Sequence, residues 1–180
     1  RIGNIKKLKM TKVCHSKEEI AAKVLEVAQT INALPDKENI SIICVLTGGL
    51  FFFSDVVKHL NFNVMLDFVD YSSYQNNTQM SEGCFKLDLS HSITNRDVIL
   101  LEDIVDSGKT AIALLSEFNK RNPKSLKMIS LLGKPKAAAQ NSQIEIVWEH
   151  DDGWVMGYGM DSNEFERNID HLVIKLDTTH

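Results

Sequence analysis

Three nearly continuous apolar runs constrain this chain more than any other feature. ISIICVL (residues 40–46), VILLE (98–102) and LKMISLL (126–132) leave almost no position for a solvent-facing side chain. Alternation would indicate a sheet with one wet face. Continuous runs of this length indicate strands covered on both faces, as at the centre of a parallel sheet. Parallel neighbours need a crossover, and the chain supplies one twice: TGGLFFFSDVVKHL follows the first run and SGKTAIALLSEFNK the second, each a turn leading into a helical pattern. Strand, loop, helix, strand is the rhythm of an α/β fold, an open, mainly parallel twisted sheet flanked by helices. NVMLDFV (63–69) reads as a further strand.

Ahead of the first run, residues 16–34 read as an amphipathic helix. Ser16 and Glu19 have the spacing of a capping box, and Ile20, Val24, Ala28 and Ile31 recur on one face before Pro35 stops it. The stretch DYSSYQNNTQMSEG (70–83) is polar and long for a connection, which predicts a mobile functional loop. Three shorter pieces, IEIVW (144–148), WVMGYGM and HLVIKL, predict a small lobe beside the main sheet. The expected organisation is one domain, 1–180, with this lobe drawn from about 140–170 and part of the N-terminus.

A chain of 180 residues can bury a sizeable core, roughly 70% of its unfolded surface. Its net charge of −4 argues against a nucleic-acid partner, which calls for a basic footprint. No apolar run approaches the roughly 20 residues of a spanning helix, so no membrane is expected. RIGNIKKLKM has basic residues with no apolar core behind them, so no secretory signal is expected. Cys14, Cys44 and Cys84 match no zinc or redox spacing and suit a reducing, cytoplasmic setting, with Cys44 in the core. The six histidines form no ligand-like cluster.

The chemistry concentrates where the second run ends, in LEDIVDSGKT (101–110). Ligands of open α/β sheets bind beyond the carboxyl ends of the strands. A helix start offers free N–H groups and a partial positive charge, which favour an anion. Gly108 permits close backbone approach, and Ser107 and Thr110 add hydroxyls. The Walker pattern is excluded, because Asp103 stands where that motif needs glycine, and a carboxylate there would repel a phosphate chain. Acids after a strand can simply cap the next helix, and Asp106 is placed to do so. One acid suffices for a cap, however, and the adjacent pair Glu102 and Asp103 needs a further polar partner, such as sugar hydroxyls or Mg²⁺. A ligand carrying phosphate, a ribose diol and a metal-bound second phosphate satisfies the whole set.

This motif resembles the phosphoribosyl pyrophosphate (PRPP) binding motif of the type I phosphoribosyltransferases, and the flanking motifs resemble those of the hypoxanthine-guanine branch, from LTGGLFFFSDV to DSNEFER. The resemblance implies transfer of a 5-phosphoribosyl group from PRPP to N9 of hypoxanthine or guanine, with release of pyrophosphate. It implies that Glu102 and Asp103 hold the ribose hydroxyls, directly or through Mg²⁺, that Asp106 faces purine N7 as general base, and that Ser107, Gly108, Lys109 and Thr110 wrap the 5′-phosphate. LTGG (46–49) resembles the pyrophosphate loop, with a cis peptide at its second residue. Thr47 stands where many members carry Lys, which leaves the backbone of Thr47, Gly48 and Gly49 to make the contacts. Ser73 and Tyr74 resemble the flexible-loop pair that closes over the reacting centre. Lys134 would donate to the purine 6-oxo group, Trp154 would stack on the base, and the Val155 backbone would read its edge. Asp161 would hold a second Mg²⁺ and Arg167 would contact pyrophosphate. Glu166 stands where members often carry an aromatic residue, and nothing in the sequence accounts for it. Members form homodimers or homotetramers.

Taken alone, Lys134 and Arg167 would be solvated surface residues and Trp154 a core aromatic, so their roles rest on the resemblance. Two other readings stay open: a regulator that binds PRPP without turnover, and an enzyme that prefers xanthine.

Overall fold

The computed structural model describes residues 11–72, 75–76, 79–80, 83–150 and 153–175. In chain order it contains β1 (Thr11–His15), α1 (Lys17–Asn32), β2 (Ile40–Val45), α2 (Leu50–Lys58), β3 (Met65–Ser72), β4 (Gln75–Asn76), β5 (Gln79–Met80), β6 (Cys84–Leu87), β7 (Asp97–Val105), α3 (Lys109–Asn119), β8 (Ser125–Gly133), α4 (Pro135–Ala138), β9 (Ile144–Glu149), β10 (Trp154–Met156) and β11 (Leu172–Lys175). The main sheet has the order β6-β3-β2-β7-β8-β9. Every neighbour in it is parallel except β6, which runs antiparallel along β3.

The three apolar runs form adjacent strands at the centre of this sheet, and the pleat explains their composition. Ile42 and Cys44 of β2, Ile99 and Leu101 of β7, and Ile129 and Leu131 of β8 join one core cluster, packed under Ile20, Val24, Ala28 and Ile31 of α1 and Phe52 and Val56 of α2. The alternate residues Ile43, Val45, Val98, Leu100 and Met128 join the other cluster, against Leu114, Leu115 and Phe118 of α3. Burial also pushes the Cys44 thiol up to about 12, with Glu102 and Asp103 adding to the shift. Helix α1 begins with the expected capping box: Glu19 N donates to Ser16 Oγ at 3.2 Å, and Ser16 N to Glu19 Oε2 at 2.7 Å.

Three expectations are revised. Segment 70–83 is not a loop throughout, because β3 continues to Ser72 and β4 pairs with β5 in a two-stranded ladder. Segment 144–148 does not join the small lobe: β9 lies parallel along β8 and closes the main sheet. β8 is buried on both faces and still needs a backbone partner on its outer edge, and the half-covered pattern of β9 suits an edge strand. β7 also runs three residues further than expected, so Asp103 joins Glu102 in the strand rather than lying in the turn.

The small sheet is antiparallel, in the order β1-β11-β10. Its first strand, TKVCH, carries little apolar signal and becomes a strand only by pairing with Leu172–Lys175. No helix among the described residues is long and apolar enough to cross a membrane.

Candidate active site

Register places the site. β2 pairs with β7 only as far as Leu101, whereas β7 and β8 remain paired to Val105 and Gly133. The carboxyl end of β7 therefore overhangs its neighbour on one side, and Glu102 and Asp103 stand at that step. The gap is filled by residues 46–49. The Leu46–Thr47 peptide is cis, Thr47 is exposed and Gly48 and Gly49 are buried. A Cβ on Gly48 would fall 1.8 Å from Asp103 Oδ2, and one on Gly49 would fall 2.6 Å from the Val45 carbonyl oxygen. Two glycines are thus what lets this loop lie against the acids.

Beyond β7 the chain turns through Asp106 and Ser107 to Gly108, whose φ of 78° is the left-handed conformation that glycine adopts at least cost. Gly108, not Asp106, is the N-cap of α3. Asp106 is exposed and free of helix duty, so the capping explanation for it fails. Residues 102–108 with Thr110 line a hollow of about 350 Å³ at the start of α3. Lys109 is exposed, and its side chain does not line that hollow.

A larger hollow of about 620 Å³ adjoins the first and shares Asp103 and Asp106 with it. Lys134, Trp154, Val155 and Asp161 line its other walls. Lys134 is held by its backbone, whose N–H donates to the Val105 carbonyl at 3.0 Å, and by Pro135, which starts α4 immediately after it. Its Nζ lies 2.5 Å from Asp106 Oδ1. Trp154 is 59% exposed rather than core. Its ring is fixed by Nε1, which donates to the Asp161 carbonyl at 2.9 Å. Val155 is buried beside it.

Asp161 and Arg167 are a unit. Arg167 Nη2 lies 3.1 Å from Asp161 Oδ1, Arg167 Nη1 donates to the Gly159 carbonyl at 2.8 Å, and Glu164 N donates to Asp161 Oδ2 at 2.9 Å. Of the residues singled out from the sequence, Glu102, Asp103, Asp106, Ser107, Gly108, Thr110, Lys134, Trp154, Val155 and Asp161 line one continuous pair of hollows. Gly48 joins them through its contact with Asp103, and Arg167 through Asp161. Ser73 and Tyr74 lie outside the described residues.

Electrostatics single out Glu102. Burial, then the neighbouring Asp103 carboxylate, raises its pKa well above the ordinary carboxylate value. No cluster of three or more metal-ligating side chains occurs among the described residues. Sequence reasoning missed Tyr158, whose buried phenol donates to Asp55 Oδ2 at 2.7 Å; burial and that contact push its pKa up. It also missed Ile104, His150, Gly153, Met160 and Lys175, which complete the larger hollow. The paired glycines around Tyr158 were the only sequence signal for it.

The phosphoribosyl transferase domain family matches residues 13–163, a span that takes in the smaller hollow, every lining residue of the larger one but Lys175, and the 46–49 loop. The chain belongs to the phosphoribosyltransferase family. Among curated relatives of this phosphoribosyltransferase, the hypoxanthine-guanine phosphoribosyltransferase of Bacillus subtilis (strain 168) is 38% identical over 164 residues, covering 89% of this chain and 91% of that protein. The hypoxanthine-guanine-xanthine phosphoribosyltransferase of Tritrichomonas foetus is 31% identical, covering 89% of this chain and 88% of its own. A solved hypoxanthine phosphoribosyltransferase from Staphylococcus aureus superposes with a TM-score of 0.81 at 29% identity, covering 98% of this chain and 96% of that one. The six-stranded, mainly parallel sheet of this phosphoribosyltransferase thus agrees with the type I fold.

Proposed function

We propose that this phosphoribosyltransferase salvages purines, transferring the 5-phosphoribosyl group of PRPP to N9 of hypoxanthine or guanine to form IMP or GMP and pyrophosphate. One observation carries the choice of base: a cationic donor and an anionic acceptor stand 2.5 Å apart on the wall of the larger hollow. A 6-oxopurine presents the matching pair on one edge, the O6 acceptor beside N7–H. Lys134 suits the oxygen and Asp106 suits the N–H. Adenine would set an amino donor against Lys134. The exposed ring of Trp154 offers a stacking face, and the Val155 backbone lies at the base edge.

The smaller hollow takes the ribose 5-phosphate. The first-turn N–H groups of α3, with Ser107 and Thr110, receive the phosphate, and Glu102 and Asp103 lie beside the diol. Thr47, Gly48 and Gly49 through their backbone, with Arg167, receive pyrophosphate, and Ser73 with Tyr74 closes over the centre. Mg²⁺ fits the carboxylates: two adjacent acids, one with a raised pKa, repel each other until a cation joins them. A magnesium ion held by one or two carboxylates completes its shell with substrate oxygens and water. Glu102 and Asp103 would hold one ion and Asp161 a second, and the metal would supply charge stabilisation for the departing pyrophosphate.

In this reading the C1′–pyrophosphate bond breaks as N9 attacks C1′, and Asp106 accepts the N7 proton. Arg167 offsets charge on the leaving group. The whole chain acts as one domain, with the small sheet as a hood over the base. A cytoplasmic setting and a homodimer or homotetramer belong to the same proposal. The partly exposed Phe51, Leu66 and Phe68 offer apolar surface for assembly.

The test is incubation with PRPP, Mg²⁺ and each of hypoxanthine, guanine, xanthine and adenine, with ultraviolet spectra of the products. IMP and GMP are expected. Turnover of xanthine alone would favour a xanthine-preferring enzyme, and no nucleotide with any base would favour a PRPP-binding regulator.

A further inference from the structure

The contact between Tyr158 and Asp55 joins two parts of the molecule that the proposed reaction must keep in register. Residues 157–159 are consecutively left-handed, with φ of 94°, 47° and 100°. The two glycines tolerate this, but an aromatic residue there is uncommon and must be held. Four backbone bonds hold the turn: Gly157 N to the Met160 carbonyl and Met160 N to the Gly157 carbonyl, both at 3.0 Å, Tyr158 N to the Ile169 carbonyl at 2.8 Å and Gly159 N to the Arg167 carbonyl at 2.9 Å. The turn is also wedged. A Cβ on Gly157 would fall 2.1 Å from the His171 carbonyl oxygen, and one on Gly159 would fall 2.1 Å from the Gly48 carbonyl oxygen. The turn that carries Asp161 and grips Arg167 therefore rests directly on the 46–49 loop.

Tyr158 fastens that arrangement from below. Its side chain is 6% exposed, lies near Phe51 with ring centroids 6.1 Å apart, and ends on Asp55. Asp55 sits on α2, which begins immediately after Gly49. A helix is a stiff lever, so a point on α2 fixed to the 157–159 turn fixes the loop at its start. The other Asp55 oxygen accepts from Lys58 Nζ at 2.8 Å, which orients the carboxylate. Neither Tyr158 nor Asp55 lines the hollows assigned to base and sugar phosphate.

We propose that Tyr158 and Asp55 are positioning residues that set the spacing between the 46–49 loop and the Asp161–Arg167 pair, and so tune the site for the pyrophosphate end of PRPP. The inference rests on the proposed transferase reading. Neither Tyr158 nor Asp55 touches Trp154 or Lys134, the residues that meet the base, and the one link from the positioned pair to Trp154 is the bond from its Nε1 to the Asp161 backbone carbonyl, so the effect should fall mainly on PRPP.

The experiment compares wild type, Tyr158→Phe, Asp55→Ala, Asp55→Asn and the double variant that combines Tyr158→Phe with Asp55→Ala, by steady-state kinetics in both directions, with thermal melts. Tyr158→Phe and Asp55→Ala should each raise the KM for PRPP and for pyrophosphate about tenfold, ~1.4 kcal/mol. The KM for hypoxanthine should stay within about twofold. Asp55→Asn keeps an acceptor oxygen for the phenol and should restore most of the loss. The double variant should lose no more than either single one, as expected of two residues acting through one bond. Unchanged KM for PRPP in folded Tyr158→Phe, an equal rise for hypoxanthine, or additive losses would each overturn the clamp. Wild-type IMP formation is the internal reference: its absence removes the transferase reading, whereas active wild type with an indifferent Tyr158→Phe removes only the clamp.

Discussion

Gly48→Ala tests the site most directly, because the structure states what the added methyl would meet. All three atoms nearest the new Cβ belong to one carboxylate: Asp103 Oδ2 at 1.8 Å, Cγ at 2.4 Å and Oδ1 at 2.9 Å. Gly48 does not have a positive φ, so alanine can adopt its backbone conformation. The conflict is with a side chain that can rotate. To turn a 1.8 Å approach into an ordinary 3.4 Å contact, Asp103 must retreat by 1.6 Å. It is only half-buried and has the hollow to retreat into, so the fold should survive, with a Tm loss of no more than about 2–4 °C. Catalysis should not survive as well. A misplacement of about 1 Å can cost on the order of 10²-fold, ~2.7 kcal/mol of transition-state stabilisation. The assay is kcat/KM for PRPP with saturating hypoxanthine, alongside a melt. Adding Gly48→Ala to Asp103→Ala should cost little more, since the atoms in conflict are then gone. A folded Gly48→Ala enzyme with kcat/KM within about threefold of wild type would refute the reasoning. So would a collapse of Tm, which would mean that the glycine serves folding and not the placement of Asp103.

Asp106→Asn should lower kcat with hypoxanthine by about 10²–10⁴-fold while leaving Tm nearly unchanged, because Asp106 is exposed and caps no helix; full kcat would remove the base assignment. Trp154→Ala should raise the KM for hypoxanthine about tenfold, from a stacking loss of ~1–3 kcal/mol, with little change for PRPP; equal changes in both constants would count against base stacking. Asp97 provides a pH test away from the site. Hydrogen bonds from Ser125 at 2.6 Å and Lys124 at 2.9 Å hold its carboxyl below the ordinary range. A depressed folded-state pKa contributes stability above the unfolded value, which is lost as pH falls through the folded one. Asp97→Asn should therefore cost about 1 kcal/mol at neutral pH, after solvent screening, and nothing once acid has protonated the wild-type residue. Melts that differ equally at both extremes would exclude the linkage.

Legibility in the sequence followed range. The capping box at Ser16 and Glu19, the burial of ISIICVL on both faces and the helix after Gly108 depend on neighbours a few positions apart, and each formed as read. IEIVW was misplaced because its partner, β8, lies in another segment of the chain, and an edge strand has no local mark that says which sheet it will extend. TKVCH was missed for the same reason. Within the site, the residues of 101–110 were readable because one strand-to-turn segment carries them all. Asp55 was not, because its role depends on a hydroxyl more than a hundred positions away.

The sequence alone determined that this chain would build a two-sided sheet and gather acids, hydroxyls and a glycine where one strand meets its helix. Periodicity and spacing are local properties of a polymer, and they survive without coordinates. Only the tertiary structure decided that Lys134 faces Asp106, that Asp103 rests on Gly48, and that the 157–159 turn lies on the 46–49 loop. Those distances depend on register and crossover, which many chain segments settle jointly as the core closes.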